Sequence, residues 1–234
     1  MSGTRRPTPG RTRRRKLRVG IFGGTFDPIH NGHLAVARAA QRRFRLDLIY
    51  FVPCGQPPHK RDPELSDYLH RFAMVALACV GERRFLPSLL EAGPDLRGRR
   101  RYYSIETVRR LRRLLGSEAR LYFLLGADAF LYLPEWKNFR QLIRLCDFIV
   151  ASRPGFSLRR ARRVLPPELI RNSNGSGMII HLSRSAIHFL PGLHADVSAT
   201  DIRQRARRGQ RLTALVPPAV ADYIGKMELY RSRR

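Results

Sequence analysis

From Leu17 onward the chain alternates short apolar runs with amphipathic stretches. Leu17 to Phe22 and Leu48 to Val52 (LIYFV) read as buried strands, the second stopped by Pro53. Leu121 to Leu125 (LYFLL) and Phe148 to Ala151 read the same way, and Met178 to Leu182 adds one more. Between them apolar residues recur at helical spacing. Leu34, Ala37, Ala40 and Phe44 form one such stripe, with Asn31 as its expected N-cap. Helices are also expected over Tyr68 to Val80, Ser104 to Leu115 and Phe139 to Leu145, with Gly81 and Gly116 closing the first two. The proline-rich stretch from Gly55 to Asp67 reads as a loop. Continuously apolar strands separated by helices mean a doubly wound, mostly parallel α/β sheet covered on both faces. In such sheets ligands bind beyond the carboxyl ends of the strands, at the point where the strand order reverses. Gly23, Pro53 and Gly126 open three such ends.

Composition changes this picture little, apart from charge. The 234 residues suffice for one domain, expected over residues 17–234, and no apolar run approaches the length of a membrane helix. The basic N-terminus runs straight into a strand with no hydrophobic segment behind it, which argues against a signal peptide. Cys54, Cys79 and Cys146 are odd in number and widely spaced, as expected of reduced thiols in a cytoplasmic protein. Lys and Arg number 45 against 18 Asp and Glu, a formal charge of +27. The surplus is mostly arginine in blocks: Arg5 to Arg18, Arg97 to Arg101, Arg109 to Arg113, Arg159 to Arg163 and Arg203 to Arg211. Residues 1–16 hold almost nothing apolar and read as a disordered basic tail. No aromatic residues interleave the blocks at a spacing suited to base stacking. The arginines therefore fit solvated faces, and nucleic acid is expected as a partner only through non-specific charge.

The richest chemistry lies in residues 23–34, GGTFDPIHNGHL. Gly23 and Gly24 let the backbone approach a phosphate closely after the strand. The helix beginning near Gly32 points its dipole at the same place, and His30 and His33 flank that start. One imidazole can donate to a phosphate oxygen while the other stabilises a pentacoordinate transition state. Two surface histidines, or a metal pair, are the alternatives. A metal would want more ligands than two, and no others are evident nearby. The Gly-Lys-Ser/Thr string of a P-loop is absent.

These residues resemble the (T/H)xGH signature of the nucleotidyltransferase superfamily, and the long form GGTFDP is similar to that of the bacterial nicotinate-nucleotide adenylyltransferases. Further pieces match that family: Pro57, Pro58, His59 and Lys60 its PPHK loop; Leu125 to Ala129 its GAD loop, with Trp136 following; Arg153 to Gly155 its RPG turn; and Val197 to Arg203 its IS(S/A)TxIR signature. Tyr103 to Thr107 resemble its SYTxxT segment, with Tyr102 and Ser104 standing where Ser and Thr are usual. The closing stretch from Pro217 to Tyr230 also matches, so the resemblance spans about residues 17–231.

The resemblance implies a single Rossmann-like domain that joins ATP and nicotinate mononucleotide to give deamido-NAD and pyrophosphate. It implies that His30, His33, Lys60 and Arg203 serve the phosphates. Gly23, Gly24, Thr25, Phe26, Gly126, Asp128, Ser198 and Thr200 would bind ATP. Ser104, Thr107, Trp136 and Lys137 would bind the nicotinate nucleotide, Trp136 by stacking on the pyridine and the backbone near Trp136 and Lys137 by holding its carboxylate. Mg2+ would accompany ATP, with no metal held by the protein alone. An oligomer is compatible with all of this. Taken singly, Lys60 is also readable as a solvated loop lysine, Asp128 as a helix N-cap and Trp136 as core. The rival readings are another adenylyl- or cytidylyltransferase of the superfamily, a preference for nicotinamide mononucleotide, and a basic nucleic-acid-binding protein on the same fold.

Overall fold

A computed structural model describes residues 15–56, 65–152, 158–172, 178–192 and 197–231. Most of the expected basic tail, the PPHK loop with Lys60, and the Arg153 to Gly155 turn lie outside the described residues.

Every expected strand forms, and each stands where its apolar run predicts. The chain runs β1 (Leu17–Gly24), α1 (Asn31–Phe44), β2 (Leu48–Pro53), α2 (Tyr68–Cys79), β3 (Phe85–Pro87), α3 (Ser104–Leu115), β4 (Ala119–Gly126), α4 (Ala127–Leu131), α5 (Phe139–Leu142), β5 (Asp147–Ala151), α6 (Leu158–Val164), β6 (Ile170–Asn172), β7 (Ile179–Leu182), β8 (Ala186–Leu190), α7 (Ala199–Arg207) and α8 (Pro218–Lys226). The sheet order is β3-β2-β1-β4-β5-β8-β7-β6. All pairs from β3 to β8 are parallel, while β8-β7 and β7-β6 are antiparallel. The sheet is thus mostly parallel, as expected, with an antiparallel edge that includes the Met178 to Leu182 run.

Order reverses between β1 and β4. Gly24 lies beside Pro53, and Phe22 beside Leu124, so the three strand ends singled out above stand side by side. The strands bury both faces by simple alternation. Val19, Ile21, Leu121, Phe123 and Leu125 pack with α3 through Ile105, Val108 and Leu111. Phe22, Ile49, Phe51, Tyr122 and Leu124 pack with α1, α2, α7 and α8 on the other side. Gly20 faces that second layer, where an added Cβ would come within 3.0 Å of Ile49 Cγ1 and 3.3 Å of Leu124 Cδ1. Its absence lets strand and neighbours close up.

Two expectations need correction. The N-cap of α1 is His30, whose backbone is extended (φ −145°, ψ 170°), and Asn31 is the first helical residue. Asn31 uses its side chain elsewhere, donating to the Ala214 carbonyl at 3.0 Å. The Phe139 to Leu145 helix stops at Leu142, because the chain tightens there to enter β5.

Candidate active site

The turn after β1 is built on its own aromatic floor. Phe26 adopts a left-handed φ of 50°, which costs a non-glycine residue about 1–2 kcal/mol. The turn drives its ring inward, against Phe22, Phe51 and His33 at centroid distances of 5.7, 5.8 and 5.0 Å. Gly24 lies over that ring, and a Cβ there would meet it at 3.0 Å. Asp27, also buried, ties the turn to distant segments: its Oδ1 accepts from the Tyr230 hydroxyl at 2.7 Å, and its Oδ2 from the Ser66 N–H at 3.2 Å. Arg203 Nη1 donates to the Asp27 carbonyl at 2.8 Å.

His30 and His33 lie nearly stacked, with centroids 3.7 Å apart and planes 30° from parallel. His33 Nδ1 accepts the His30 backbone N–H at 3.3 Å. Burial lowers both rings' affinity for a proton: His30 falls to about 4, and His33 lies well below its ordinary value, with His30 adding to the shift. Both are neutral at pH 7. With Nδ1 accepting, the ring proton of His33 sits on Nε2, which is left as a donor. His30 Nδ1 is buried with no hydrogen-bond partner among the described residues. A buried polar atom in that condition calls for a ligand or a water.

The pair opens onto a cavity of about 1130 Å3 at the switch point. That exceeds the usual range for one drug-sized ligand and leaves room for two nucleotides. Gly23, Gly24, Thr25, His30 and His33 form one wall; Ser104, Thr107, Gly126, Asp128, Trp136 and Lys137 form the other. The two walls belong to opposite faces of the sheet, since His33 contacts the α1-side core through Phe22 and Phe26 while Tyr103 and Trp136 pack on the α3-side core. Trp136 stands edge-on to Phe123 at 5.7 Å and 75°. Lys137 Nζ lies 4.1 Å above the Tyr103 ring and 3.7 Å from Glu106 Oε1.

Several expected site residues are placed differently. Phe26 lies in the core and is not among the cavity's lining residues. Thr107 is 2% exposed, and its hydroxyl proton goes to Glu91 Oε1 at 2.5 Å. The Trp136 backbone N–H is spent on the Leu133 carbonyl at 3.1 Å. Ser198 caps α7, its side chain accepting from the Asp201 N–H at 3.1 Å, and Thr200 is exposed in the first turn. Ser198, Thr200 and Arg203 do not line the cavity, although the adjacent Val197 does.

Two residues that carry no local sequence signal hold the site together, Arg71 and Glu91. Arg71 is 2% exposed, and its guanidinium donates to the carbonyls of Thr25, Cys54, Gly55 and Ser66 at 2.8–3.1 Å. Glu91 is buried on the cavity wall, and that burial raises its carboxyl above the ordinary range. Among the described residues no three His, Cys, Asp or Glu come together as a metal-holding group.

Residues 21–205 match the Cytidylyltransferase-like family model. A "Probable nicotinate-nucleotide adenylyltransferase" of Moorella thermoacetica is 42% identical over 219 residues, covering 92% of this chain and 93% of its own. One with the same description from Thermoanaerobacter sp. is 38% identical over 217 residues, covering 93% and 96%. A solved Plasmodium falciparum nicotinic acid mononucleotide adenylyltransferase, complexed with NaAD, shares the fold at a TM-score of 0.68 and 18% identity, covering 91% of this chain and 97% of its own. The chain belongs to the cytidylyltransferase-like nucleotidyltransferases, within the bacterial nicotinate-nucleotide adenylyltransferase group.

Proposed function

We infer that the protein is a nicotinate-nucleotide adenylyltransferase of NAD biosynthesis, joining ATP to nicotinate mononucleotide with release of pyrophosphate. The observation that carries this reading is the two-walled cavity: a phosphate turn with neutral, donor-bearing histidines faces an aromatic wall across the sheet's switch point. In the reaction, a phosphate oxygen of the mononucleotide attacks the α-phosphorus of ATP in line. A new P–O bond forms as the α–β bridging bond breaks, and its electron pair leaves with pyrophosphate. Such transfer depends on positioning and charge stabilisation rather than on covalent help.

We assign the ATP phosphates to the Gly23–Gly24 backbone and to the donor left on His33 Nε2, with His30 beside it. Thr25, the Phe26 backbone, Gly126 and Asp128 would frame the rest of ATP. Lys60 and Arg203 would neutralise the leaving group, with Ser198 and Thr200 supporting Arg203 at the start of α7. On the opposite wall Trp136 would stack on the pyridine. The Lys137 N–H, which has no protein acceptor among the described residues, would hold the carboxylate together with Ser104 at the open N-terminus of α3. Thr107 would act indirectly, since its proton is already committed. Mg2+ would accompany ATP and supply charge neutralisation to its phosphates as pyrophosphate departs. The three cysteines are free, as befits a reducing cytoplasm, where we place the activity. No helix among the described residues is long and apolar enough to cross a membrane.

The test is pyrophosphate release from purified protein with ATP, Mg2+ and either nicotinate or nicotinamide mononucleotide. Turnover with the acid is expected to exceed turnover with the amide; no release with either sinks the reading. His33→Ala should lose about a hundredfold or more in kcat, in line with loss of one preorganised donor. Near-normal kcat in that variant would remove His33 from the mechanism.

A further inference from the structure

The two walls of the cavity are joined by a chain of hydrogen bonds that runs under the sheet edge. Arg71 Nη1 donates to the Thr25 carbonyl in the phosphate turn at 2.9 Å, and its Nη2 to the Gly55 carbonyl at 3.1 Å. The Gly55 N–H donates to Glu91 Oε2 at 3.4 Å, and the Thr107 hydroxyl donates to Glu91 Oε1 at 2.5 Å. Gly55 has no room to shift, because even a Cβ there would lie 2.6 Å from the Arg100 carbonyl and 2.8 Å from that of Glu91. Thr107 sits in the second turn of α3, one turn below Ser104. Glu91 is therefore a link, beside Arg110 Nη1 donating to the Leu90 carbonyl at 2.7 Å, that fastens α3, and with it the aromatic wall, to the strand ends that carry the Gly23–His33 turn.

We propose that Glu91 is a positioning residue for the mononucleotide wall: by gripping Thr107 and Gly55 it fixes the start of α3 against the sheet, and so sets the affinity for nicotinate mononucleotide without touching it. The proposal rests on the adenylyltransferase reading. A carboxylate suits the task because both of its neighbours are donors. A glutamine can do much of it. Its amide oxygen accepts from Gly55, and its NH2 donates to Thr107 Oγ1, whose proton then turns to the Tyr103 carbonyl 3.5 Å away. Alanine can hold neither neighbour. The Arg110 guanidinium also attracts the Glu91 carboxylate, so the glutamine isolates the hydrogen-bonded part of the link.

Steady-state kinetics with both substrates varied, on wild type, E91A, E91Q, T107V and E91A/T107V, tests this. Wild-type turnover is measured first, and its absence defeats the functional reading rather than the positioning role. Given turnover, E91A and T107V should each raise KM for nicotinate mononucleotide by about tenfold, with KM for ATP and kcat each within about threefold of wild type. The double variant should be no worse than E91A, because the two side chains act through one contact. E91Q should recover most of the loss seen in E91A. Should E91A fail to give folded protein by circular dichroism, T107V and E91Q carry the test. An unchanged KM for the mononucleotide in T107V, effects that multiply in the double variant, an equal rise in both KM values, or E91Q as impaired as E91A would each overturn the proposal.

Discussion

Acidification should destabilise the protein through the histidine pair, by an amount that follows from the burial of His30. Its ring has a pKa of about 4 in the fold against an ordinary 6.5. Between those values the unfolded chain binds a proton that the native state does not. Stability therefore rises with pH across this window. The contribution is complete above about pH 6.5, falls as pH drops toward 4 and then levels off. At pH 5 the linkage relation gives a loss of about 2 kcal/mol relative to pH 8 from His30 alone. His33 acts in the same direction, since its pKa is lowered too, whereas Glu91 is raised and opposes them at the acid end. Urea melts at pH 8, 6 and 5 on wild type and His30→Asn report the term, together with the smaller push that His30 exerts on His33, because asparagine caps a helix without titrating. Wild type should lose about 2 kcal/mol more than the variant, equivalent to roughly 1 M in the urea midpoint. The buffer must contain no phosphate or sulfate, because an anion held at the turn would favour the protonated rings. Parallel stability profiles for the two proteins would refute the claim that burial keeps His30 neutral.

Two further substitutions test the frame around the site. Gly55→Ala places a methyl group within 2.6 and 2.8 Å of two backbone carbonyl oxygens, which cannot swing away. It should cost about 1–3 kcal/mol, read as a drop of several degrees in melting temperature; an unchanged melt would show that the turn is looser than its geometry implies. Tyr230→Phe removes the hydroxyl that donates to Asp27 at 2.7 Å and leaves one carboxylate oxygen short of a partner. A loss of about 1–3 kcal/mol is expected in the same melts, and no loss would mean that Asp27 does not depend on the C-terminal segment.

The sheet was legible because its central strands are apolar on both faces and end at glycine or proline, a pattern that needs no knowledge of neighbours. β8 was missed because His188 breaks a run of only five residues, although Ile187 and Phe189 fill one core and Leu190 the other. β3 and β6 are three residues each and carry too little pattern to read. The same divide separates the site residues. The glycines and histidines of the turn speak through spacing along one strand-turn-helix unit. Arg71 and Glu91 have meaning only through partners distant in sequence, and Arg71 is one of 45 basic residues. Sequence also assigned donors by residue type, and so could not foresee that Thr107 and the Trp136 amide had already given theirs to the protein.

The charge of the chain and the chemistry proposed for its Gly23–His33 turn are separate matters. A formal charge of +27 suggests that phosphates are held by cations. Yet the residues of the turn that line the cavity are Gly23, Gly24, Thr25 and two histidines that burial keeps unprotonated, while the Asp27 carboxylate and the Arg203 guanidinium that meets its backbone are not among the cavity's lining residues. The buried cation nearby, Arg71, is turned away onto four backbone carbonyls, where it fixes the turn's shape. A neutral donor set has a physical advantage for a triphosphate that brings its own cation. In the proposed reaction such a set would orient the phosphates without competing with an accompanying metal ion for their charge. Recognition at the turn would then be a matter of geometry, which the aromatic floor under Gly24 and the Arg71 clasp hold in place. Cationic help is needed only as charge moves onto the leaving group, the stage for which Lys60 and Arg203 are proposed.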